Sequence, residues 1–385
     1  MHKPDQPIVM VDLVRQHAPI RAELDAAMAQ VLDTGAFIKG PDVHAFAEEL
    51  AEYVGVKHVI PCGNGTDALQ LALMALGVGP GDEVITTGFT FIATVEVVGL
   101  LGARPVLVDV NPCTFNIDAE QVERAITPRT KAIVPVHLFG QPADMDRLMA
   151  ISEATGVPIV EDNAQGIGAR WFGAAGKREN APMTGTMGAL GTTSFFPSKN
   201  LGCAGDGGAV FTNDDALADR VAVLANHGMK QRYHHEAIGI NSRLDTLQAA
   251  ILRIKLPHLD KWNEARRAAA AAYDEHLKDI PGIRTPYRDP RSTHVFHQYT
   301  LRLAPSIDRD ACVAALAAAG IPTGVYYPVP GHRQAAFGQW DLALTDQPQS
   351  DRLAASVLSL PMHPVLTDEE IQYICDCVRT FVLKN

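Results

Sequence analysis

Short apolar runs alternate with helical patterns between about residue 57 and residue 165. The runs VKHVIPC, DEVITT, RPVLVDV, KAIVPVHLF and VPIVED are rich in β-branched residues and predict strands. RPVLVDV and KAIVPVHLF are almost continuously apolar, as strands buried on both faces are. TDALQLALMAL carries its apolar positions on one helical face, and residues 144–155 form another helical pattern that stops at Gly156. The alternation predicts an α/β fold with a mostly parallel sheet between helices.

The pattern changes after about Arg243. A long helical pattern continues to Leu256, is interrupted at Pro257 and then resumes, and a proline in such a position kinks or divides a helix. At 385 residues the chain also exceeds the size of one ordinary hydrophobic core. We therefore predict a large domain over residues 1–256 and a smaller α+β domain over residues 257–385.

Four local patterns predict single elements. QYTLRL alternates as a strand, and the helical pattern after Asp308 ends at Gly320. Thr367 and Glu370 have the spacing of a capping box at the start of the last helix. Residues 173–185 are polar and rich in glycine, which predicts a surface loop.

Composition and charge exclude several classes of protein. The net charge of −11 argues against a nucleic-acid partner, because such proteins present a basic face. No apolar run approaches the length of a membrane span, and MHKPDQPIVM lacks the pattern of a signal peptide. The six cysteines are scattered, without zinc spacing or a disulfide framework. These features predict a cytoplasmic enzyme with reduced thiols, no metal and no membrane contact.

The run TSFFPSKNLGCAGDGG is the most informative part of the chain. Lys199 lies in a turn after a β-rich segment, with aromatic residues and a proline on one side and glycines on the other. A lysine in such surroundings can lose its proton and attack a carbonyl group, which predicts a Schiff base with pyridoxal phosphate. The ordinary alternative is a lysine that packs its stem among apolar groups and keeps its ammonium in water.

A glycine-rich turn, Gly-Asn-Gly-Thr at residues 63–66, lies where a strand gives way to a helix. Backbone amides at such a turn and the helix N-terminus bind anions, so the turn predicts a phosphate site. With Ala68 it also matches the dinucleotide fingerprint of a dehydrogenase. That fold needs an acid at the end of the next strand, whereas Asp82 and Glu83 stand at its start. The remaining alternative is a turn capped by Thr66 that binds no ligand.

An acidic pair, Glu161 and Asp162, ends the strand VPIVED. Ligands of open α/β sheets bind at the carboxyl ends of strands. A carboxylate there can pair with the protonated ring nitrogen of pyridoxal phosphate and make the ring an electron sink. The plainer alternative is an aspartate that caps the following segment. A phosphate turn, a strand-end acid and a turn lysine together favour the pyridoxal phosphate interpretation.

These residues resemble the DegT/DnrJ/EryC1/StrS family of sugar-nucleotide aminotransferases along nearly the whole chain. The similar segments are IVMVDLVRQ, NGTDALQLAL, GDEVITTGFTFIAT, VEDNAQGIGA, SFFPSKNLGCAGDGG, INSRLDTLQAAIL and LPMHP. The resemblance implies the fold-type-I aspartate aminotransferase architecture. Asn163 is a departure, since relatives often have alanine there. Lys199 is retained, whereas related dehydratases have histidine, and this favours transamination.

The resemblance also implies roles for the cofactor contacts. Lys199 would carry the internal aldimine and perform the 1,3-proton shift that interconverts pyridoxal and pyridoxamine 5'-phosphate. Asp162 would pair with the ring nitrogen, and Gln165 would donate to the phenolic oxygen. Phe91 would stack on the pyridine ring.

The phosphate contacts implied by the resemblance come from both subunits. Gly65, Thr66 and Ser194 would hold the phosphate, and Asn241 would reach it from the partner subunit. The chain would therefore be an obligate homodimer with shared active sites.

The segment HGMKQRYHHEAIGINSRLDTLQAAIL most resembles aminotransferases that act on UDP-2-acetamido-2-deoxy-3-oxo-glucuronate with L-glutamate as donor. Arg243 could bind a carboxylate of either compound in a bidentate way. Tyr326 and Tyr327 resemble the family's substrate-facing loop, although Tyr326 replaces a common histidine. A basic loop could bind a diphosphate or could be a solvated surface; it contains His227, Lys230, Arg232, His234 and His235.

Three other functions remain possible at this level. One keeps the chemistry but acts on a dTDP-linked 3-keto-6-deoxyhexose, a sugar that lacks the carboxylate and so gives Arg243 less to bind. A nicotinamide-dependent dehydrogenase is disfavoured by the misplaced acid. A binding protein without catalytic activity is disfavoured because both Lys199 and Asp162 are present.

Overall fold

The computed structural model describes residues 3–176, 178–342 and 346–384. The helices are α1 Leu13–His17, α2 Arg21–Thr34, α3 Pro41–Val54, α4 Gly65–Ala75, α5 Ala93–Leu100, α6 Ala119–Ala125, α7 Met145–Thr155, α8 Asp215–Leu224, α9 Thr246–Lys255, α10 Leu259–Leu277, α11 Arg309–Ala318, α12 Pro348–Ser356 and α13 Asp368–Lys384. The strands are β1 His58–Cys62, β2 Glu83–Thr87, β3 Arg104–Val108, β4 Thr130–Ile133, β5 Val160–Asp162, β6 Leu190–Ser194, β7 Gly208–Thr212, β8 Met229–Gln231, β9 His234–His235, β10 Ile283–Arg284, β11 Tyr299–Leu303 and β12 Val357–Leu360.

A mostly parallel sheet forms the centre of the large unit. Its strands pair in the orders β1-β7-β6-β5 and β3-β2-β4. Parallel bridges from Ile133 to Ile159 and from Val136 to Asp162 join β4 to β5. β7 alone runs antiparallel to both of its neighbours, β1 and β6. The predicted α/β class is confirmed, and β7 is the antiparallel exception.

The strand directions bring several predicted site residues to one edge of this sheet. β1, β5 and β6 run in the same direction, so their carboxyl ends meet there. Gly208, the first residue of β7, pairs with both Cys62 and Ser194 at this edge. A Cβ on Gly208 would lie 2.4 Å from the carbonyl oxygen of Asn64, so only glycine allows β7 to approach the turn after β1.

The smaller C-terminal unit contains the antiparallel sheet β10-β11-β12. α10, α11 and α13 cover it, and Tyr273, Leu301 and Ile374 are buried in their common core. Ile8, from the other end of the chain, packs into the same core. The boundary at residue 257 stays a prediction, because one contiguous C-terminal segment does not account for all of this core.

Most of the local predictions are confirmed. The helix predicted to break at Pro257 is α9, a 3₁₀ turn over Leu256–His258, and then α10. The capping box is present, since the Glu370 amide donates to Thr367 Oγ1 at 3.2 Å and the Thr367 amide donates to Glu370 Oε2 at 2.8 Å.

Two local predictions need correction. Only residues 131–133 of KAIVPVHLF lie in a regular strand, β4, and only isolated bridging continues at Val136. Within residues 173–185, residues 174–176 and 178–180 are exposed, but Met183, Thr184 and Gly185 are buried. That end of the segment satisfies buried polar groups of β5 and of the residue after it, which a reading of local polarity does not reveal.

Two kinds of feature are absent from the described ranges. None of the helices there is both long and apolar enough to span a bilayer. In the same ranges, no group of three or more histidine, cysteine, aspartate or glutamate side chains is arranged to hold a metal ion.

Candidate active site

Lys199 lies in the turn after β6 and close enough to Asp162 for their charges to interact. Its backbone amide donates to Phe196 O at 2.8 Å, which closes the turn. Burial lowers the pKa of the Lys199 ammonium to about 8, and the charge of Asp162 opposes that change. More of the amine is therefore neutral near neutral pH than in an exposed lysine, and the neutral form is the nucleophile toward carbonyls.

Asp162 ends β5 and is only 4% exposed. Its Oδ2 accepts from Thr94 Oγ1 at 2.8 Å, and its Oδ1 accepts from the Ala164 amide at 3.1 Å. Burial raises the pKa of this carboxyl group, whereas the two hydrogen bonds and the charge of Lys199 favour the ionised form. The carboxylate is thus held in one orientation in a site with little water. The alternative role of Asp162 as a simple cap accounts for only one of its two oxygens.

Thr94 is a contact that the sequence interpretation left without a role. Thr94 lies in α5, and its hydroxyl is also 3.3 Å from that of Thr90. Since the single Thr94 proton is directed to Asp162, Thr90 is the donor between the two hydroxyls. The three side chains form a buried, directed chain of hydrogen bonds that ends on the Asp162 carboxylate.

Glu161 points to the opposite side of β5 from Asp162, as neighbouring strand residues do. Its Oε1 accepts from the amides of Met187 and Gly188, each at 2.6 Å. Its Oε2 accepts from the Gly185 amide and contacts His137 Nε2, both at 2.8 Å.

His137 orders this arrangement further. Because its Nδ1 accepts from the Ala143 amide at 3.1 Å, Nε2 carries the proton and donates to Glu161. The His137 backbone amide also donates to Asp162 O at 3.0 Å. This network fixes the backbone from which the Asp162 side chain projects. The alternation of side chains along a strand was the feature of the sequence that could have indicated a separate, buried role for Glu161.

Gln165 and Tyr327 are brought together beside Asp162. Gln165 Oε1 accepts from the Phe139 amide at 2.6 Å. This contact fixes the orientation of the side-chain amide, so that its Nε2 donates to the Tyr327 hydroxyl at 3.0 Å. The rings of Phe91 and Tyr327 have centroids 6.2 Å apart, and Phe91 is 54% exposed. An exposed aromatic ring in this position is suited to stacking on a planar ligand.

The turn after β1 leads directly into α4. Asn64, not Thr66, caps this helix, with its Oδ1 accepting from the Asp67 amide at 2.9 Å. Gly65 and Thr66 occupy the first turn, where amides have no acceptor within the helix. A Cβ on Gly65 would lie 2.7 Å from Ser194 Cβ, so glycine allows this turn to meet the end of β6. Gly65, Thr66 and Ser194 thus lie close together, and we call this group the anion cradle. Their predicted contact with a phosphate stays a prediction.

The acids considered for a dehydrogenase lie at the opposite edge of the sheet. Asp82 precedes β2, and its Oδ2 accepts from the Gly79 amide at 3.0 Å. Glu83 begins β2 and pairs with Arg129 at 2.6 Å. Both carboxylates are occupied in local contacts, away from the carboxyl ends of the strands.

The segment around Asn241 and Arg243 is attached to the anion cradle through Ser242. Ser242 Oγ accepts from the Gly63 amide at 2.9 Å and donates to Asp67 Oδ2 at 2.6 Å. Asn241 itself is exposed, and Arg243 is half-buried. Within the described residues, the Arg243 guanidinium makes no hydrogen bond or ion pair. The roles predicted for both residues stay predictions.

Two further predicted regions differ in their surroundings. Tyr326 packs against Gly324, where a Cβ would lie 2.5 Å from the ring. The basic loop includes the exposed hairpin β8–β9, in which His235 Nδ1 lies 2.9 Å from His227 O. The predicted contact of this loop with a diphosphate stays a prediction.

The model of the DegT/DnrJ/EryC1/StrS aminotransferase family matches residues 19–379. The chain belongs to this family.

The family's named relatives include several sugar aminotransferases. The chain is 49% identical to the UDP-2-acetamido-2-deoxy-3-oxo-D-glucuronate aminotransferase of Pseudomonas aeruginosa, over 96% of this chain and 98% of that protein. It is 47% identical to the UDP-N-acetyl-3-dehydro-alpha-D-glucosamine 3-aminotransferase of Acidithiobacillus ferrooxidans, over 97% of each chain. Identity to the dTDP-3-amino-3,4,6-trideoxy-alpha-D-glucose transaminase of Streptomyces venezuelae is 44%, over 97% of this chain and 95% of that protein.

Solved structures of the family have the same fold. S. venezuelae DesV in complex with a ketimine intermediate is 44% identical, with a TM-score of 0.92 over 98% of both chains. NtdA from Bacillus subtilis, with bound pyridoxamine phosphate, is 32% identical, with a TM-score of 0.87 over 98% of this chain and 83% of that one. The fold-type-I architecture predicted from the sequence is confirmed.

As a member of this aminotransferase family, the protein is a pyridoxal-phosphate-dependent transaminase. Its residues fit the cofactor on three observations. The amine of Lys199 has a lowered pKa, the Asp162 carboxylate is buried and held by two donors, and the Gly65 turn is open only because it lacks a side chain. These groups can hold an aldehyde carbon, a ring nitrogen and a phosphate respectively.

Asn163 has a structural role in the packing of the chain next to Asp162. It is fully buried, and its Nδ2 donates to Thr184 O at 2.9 Å. This contact is directed to the buried end of the segment predicted to be a surface loop. Asn163, which stands where relatives often have alanine, thus anchors that segment to the residue after β5.

Proposed function

We propose that this aminotransferase moves the amino group of L-glutamate to the C3 keto group of UDP-2-acetamido-2-deoxy-3-oxo-glucuronate. The observation that carries the chemistry is the lowered pKa of Lys199 beside the buried Asp162 carboxylate. Support for the sugar comes from the two relatives named for UDP-linked 3-keto sugars, which are 49% and 47% identical, against 44% for the dTDP-sugar enzyme.

In the proposed reaction the chain's residues hold the cofactor and move protons. Bound pyridoxal phosphate supplies an electron sink and a carrier for the amino group. Lys199 Nζ would bind it covalently and, once released, would carry the proton between the two carbons of the transfer. Asp162 would keep the ring nitrogen protonated, because its ionised form is stabilised by Thr94 and Ala164. Gln165 would donate to the phenolic oxygen, and Phe91 would cover one face of the ring.

Arg243 is the proposed anchor for a carboxylate of the substrate. Its guanidinium is half-buried, and it has no ion pair within the described residues. A planar guanidinium binds a carboxylate through two parallel hydrogen bonds, which lysine cannot reproduce. The adjacent Ser242 holds this segment against the anion cradle, so a carboxylate and a phosphate could be bound by neighbouring groups.

The proposed sharing of sites rests on Asn241. Its backbone bridges Asn226, and its side chain is exposed in the isolated subunit although it adjoins the cradle segment. An exposed amide there is available to a second copy of the chain. We propose a homodimer in which the Asn241 of each subunit contacts the phosphate bound by its partner.

A cytoplasmic location and a role in polysaccharide synthesis, such as that of O-antigen or another part of lipopolysaccharide, belong to the same proposal. All six cysteines are free, with no disulfide between them. Free thiols of this number suit a reducing compartment. The aminated nucleotide sugar would be a building block for a glycan.

A spectroscopic half-reaction tests the substrate. The enzyme is converted to its pyridoxamine phosphate form with L-glutamate, freed of donor, and then offered either the UDP-linked 3-keto uronate or a dTDP-linked 3-keto-6-deoxyhexose. We expect the visible absorption of the pyridoxal form to return with the uronate. Return only with the deoxyhexose would assign the second candidate, which the 44% relative supports.

A matched variant separates the carboxylate contact from general damage. Arg243→Gln should raise the KM for the uronate while leaving reconstitution with pyridoxal phosphate unchanged, and Arg243→Lys should restore little because it cannot bind in a bidentate way. Equal KM values for the variant and the wild type would remove Arg243 from the substrate site.

A further inference from the structure

A second cleft lies in the C-terminal unit and shares no residue with the candidate active site. It has a volume of about 840 Å³, within the range of pockets that bind small molecules. Its walls come from β10, β11, the turn after β11, α12 and the loop at Pro112. The lining residues important here are Arg284, Arg302, Arg352, Pro305, Ile307 and Gln349.

The charge of this cleft is unusual for the protein. The chain has a net charge of −11, yet three arginines and no acidic residue line the cleft. Arg284 and Arg302 stand directly opposite each other on the antiparallel strands β10 and β11. Directly opposed residues project from the same face of a sheet, and like charges in that position destabilise the pair.

The arginines retain most of their hydrogen-bonding capacity. Arg302 donates from Nη1 to Pro112 O at 2.7 Å, and this is its one hydrogen bond among the described residues. Over the same ranges, Arg284 and Arg352 make no ion pair. Burial lowers the pKa of Arg302, and the charge of Arg284 lowers it further. An anion between these groups would relieve the repulsion and use the free donors.

A nearby carboxylate does not perform that task. Asp109, which directly follows β3, lies beside the first turn of α12, but it is buried and its carboxylate oxygens already accept hydrogen bonds. They accept from the Gln349 amide at 2.7 Å and from the Ser350 amide and hydroxyl at 2.8 and 2.7 Å. Asp109 thus orders the first turn of the helix that carries Arg352.

We propose that this cleft is a second ligand site, which binds the diphosphate group of a small organic compound. Guanidinium groups bind phosphate oxygens through paired hydrogen bonds. Two or three of them facing one cavity suit a diphosphate better than a single carboxylate. The side chains of Pro305 and Ile307 provide an apolar wall for an organic group attached to it. The proposal does not depend on which sugar the active site accepts.

The test compares pyrophosphate binding by calorimetry in three forms of the holoenzyme. Arg284 and Arg352 are exposed, so the double variant R284Q/R352Q should fold normally, which its thermal unfolding checks. R124Q/R220Q removes two exposed helical arginines elsewhere and is the matched control for net charge. Any pyrophosphate bound at the active site is common to all three proteins, so the difference reports the cleft.

We expect R284Q/R352Q to bind pyrophosphate at the cleft at least about a hundredfold more weakly, because two charged hydrogen-bonding groups are lost. The control should bind as the wild type does. Repeating the titration with UDP distinguishes two sources of the diphosphate: tighter binding than pyrophosphate supports a nucleotide, and equal binding supports the diphosphate group alone. Unchanged pyrophosphate binding in a folded R284Q/R352Q would overturn the proposal.

Discussion

At the scale of single residues, Lys199 and Asp162 each change the properties of the other. Burial lowers the pKa of Lys199, and the charge of Asp162 opposes that change. The same burial raises the pKa of Asp162, and its two hydrogen bonds act against that rise. Both residues could be identified in the sequence from their places at strand ends. Their effects on each other's pKa could not be predicted, because the two residues are distant in sequence and no local pattern shows that they lie close together.

The pKa of Lys199 leads to a prediction about reconstitution. In cofactor-free enzyme, recombination with pyridoxal phosphate should accelerate as the pH rises and level off above about 8, because only the neutral amine attacks. Asp162→Asn removes the charge that holds the proton on Lys199, so the midpoint should move to lower pH. Stopped-flow absorbance across pH measures this. Asp206→Asn, an exposed change in the same glycine-rich loop, should leave the midpoint in place; a midpoint that stays fixed in both variants would contradict the coupling.

Thr94 gives a second prediction at this scale. Thr94→Val keeps the shape but removes the donor to Asp162 Oδ2, which should raise the pKa of that carboxyl group. We expect kcat to fall about tenfold, the sugar KM to stay constant and the acidic limb of the kcat–pH profile to move to higher pH. Thr94→Ser should retain the wild-type profile. A valine variant with unaltered kcat and pH profile would reduce Thr94 to a packing residue.

At the scale of elements, helix and strand ends carry most of the recognisable signals. The capping box of α13 could be predicted from the sequence because both partners lie within one turn. The direction of β7 could not be predicted, because an apolar run has no feature that distinguishes parallel from antiparallel pairing. The same limit applies to residues 183–185, whose burial depends on Glu161 and Asn163 rather than on their own polarity.

The capping box can be tested through stability. Thr367→Ala removes the acceptor for the Glu370 amide and should lower the free energy of unfolding by about 1 kcal/mol. Urea titration followed by circular dichroism measures the shift. Thr367→Ser keeps the hydroxyl and should unfold close to the wild-type midpoint. Equal midpoints for the alanine variant and the wild type would show that the two remaining contacts of Glu370, with the Thr367 amide at 2.8 Å and with Arg15 at 2.7 Å, are sufficient to hold the helix start.

At the scale of the whole molecule, the sheet unites residues from four separate segments at one edge. The cradle from the turn after β1, Asp162 from β5 and Lys199 after β6 are joined by the segment of Asn241. The isolated subunit leaves the Asn241 side chain exposed, so the proposed dimer would add a contact that one chain leaves open.

Complementation tests the shared sites. Lys199→Ala and Asn241→Ala should each lose most activity alone. When the two are co-expressed, a mixed dimer has one site with both wild-type residues, so activity should return to about a quarter of the wild-type value with random pairing. Light scattering establishes the dimer independently. If Asn241 serves its own subunit, mixed dimers will be as inactive as the parents.

The sequence by itself determined the α/β class, the break at Pro257 and the placing of a lysine, an acid and a glycine turn at strand ends. These follow from periodicity and from residue types whose conformational preferences act over a few neighbours. Only the tertiary structure decided the antiparallel course of β7, the donor from Thr94 to Asp162, the anchoring of Glu161 by His137 and the opposed arginines of the second cleft. Each of these depends on distances between remote segments, which are set by how the whole chain packs.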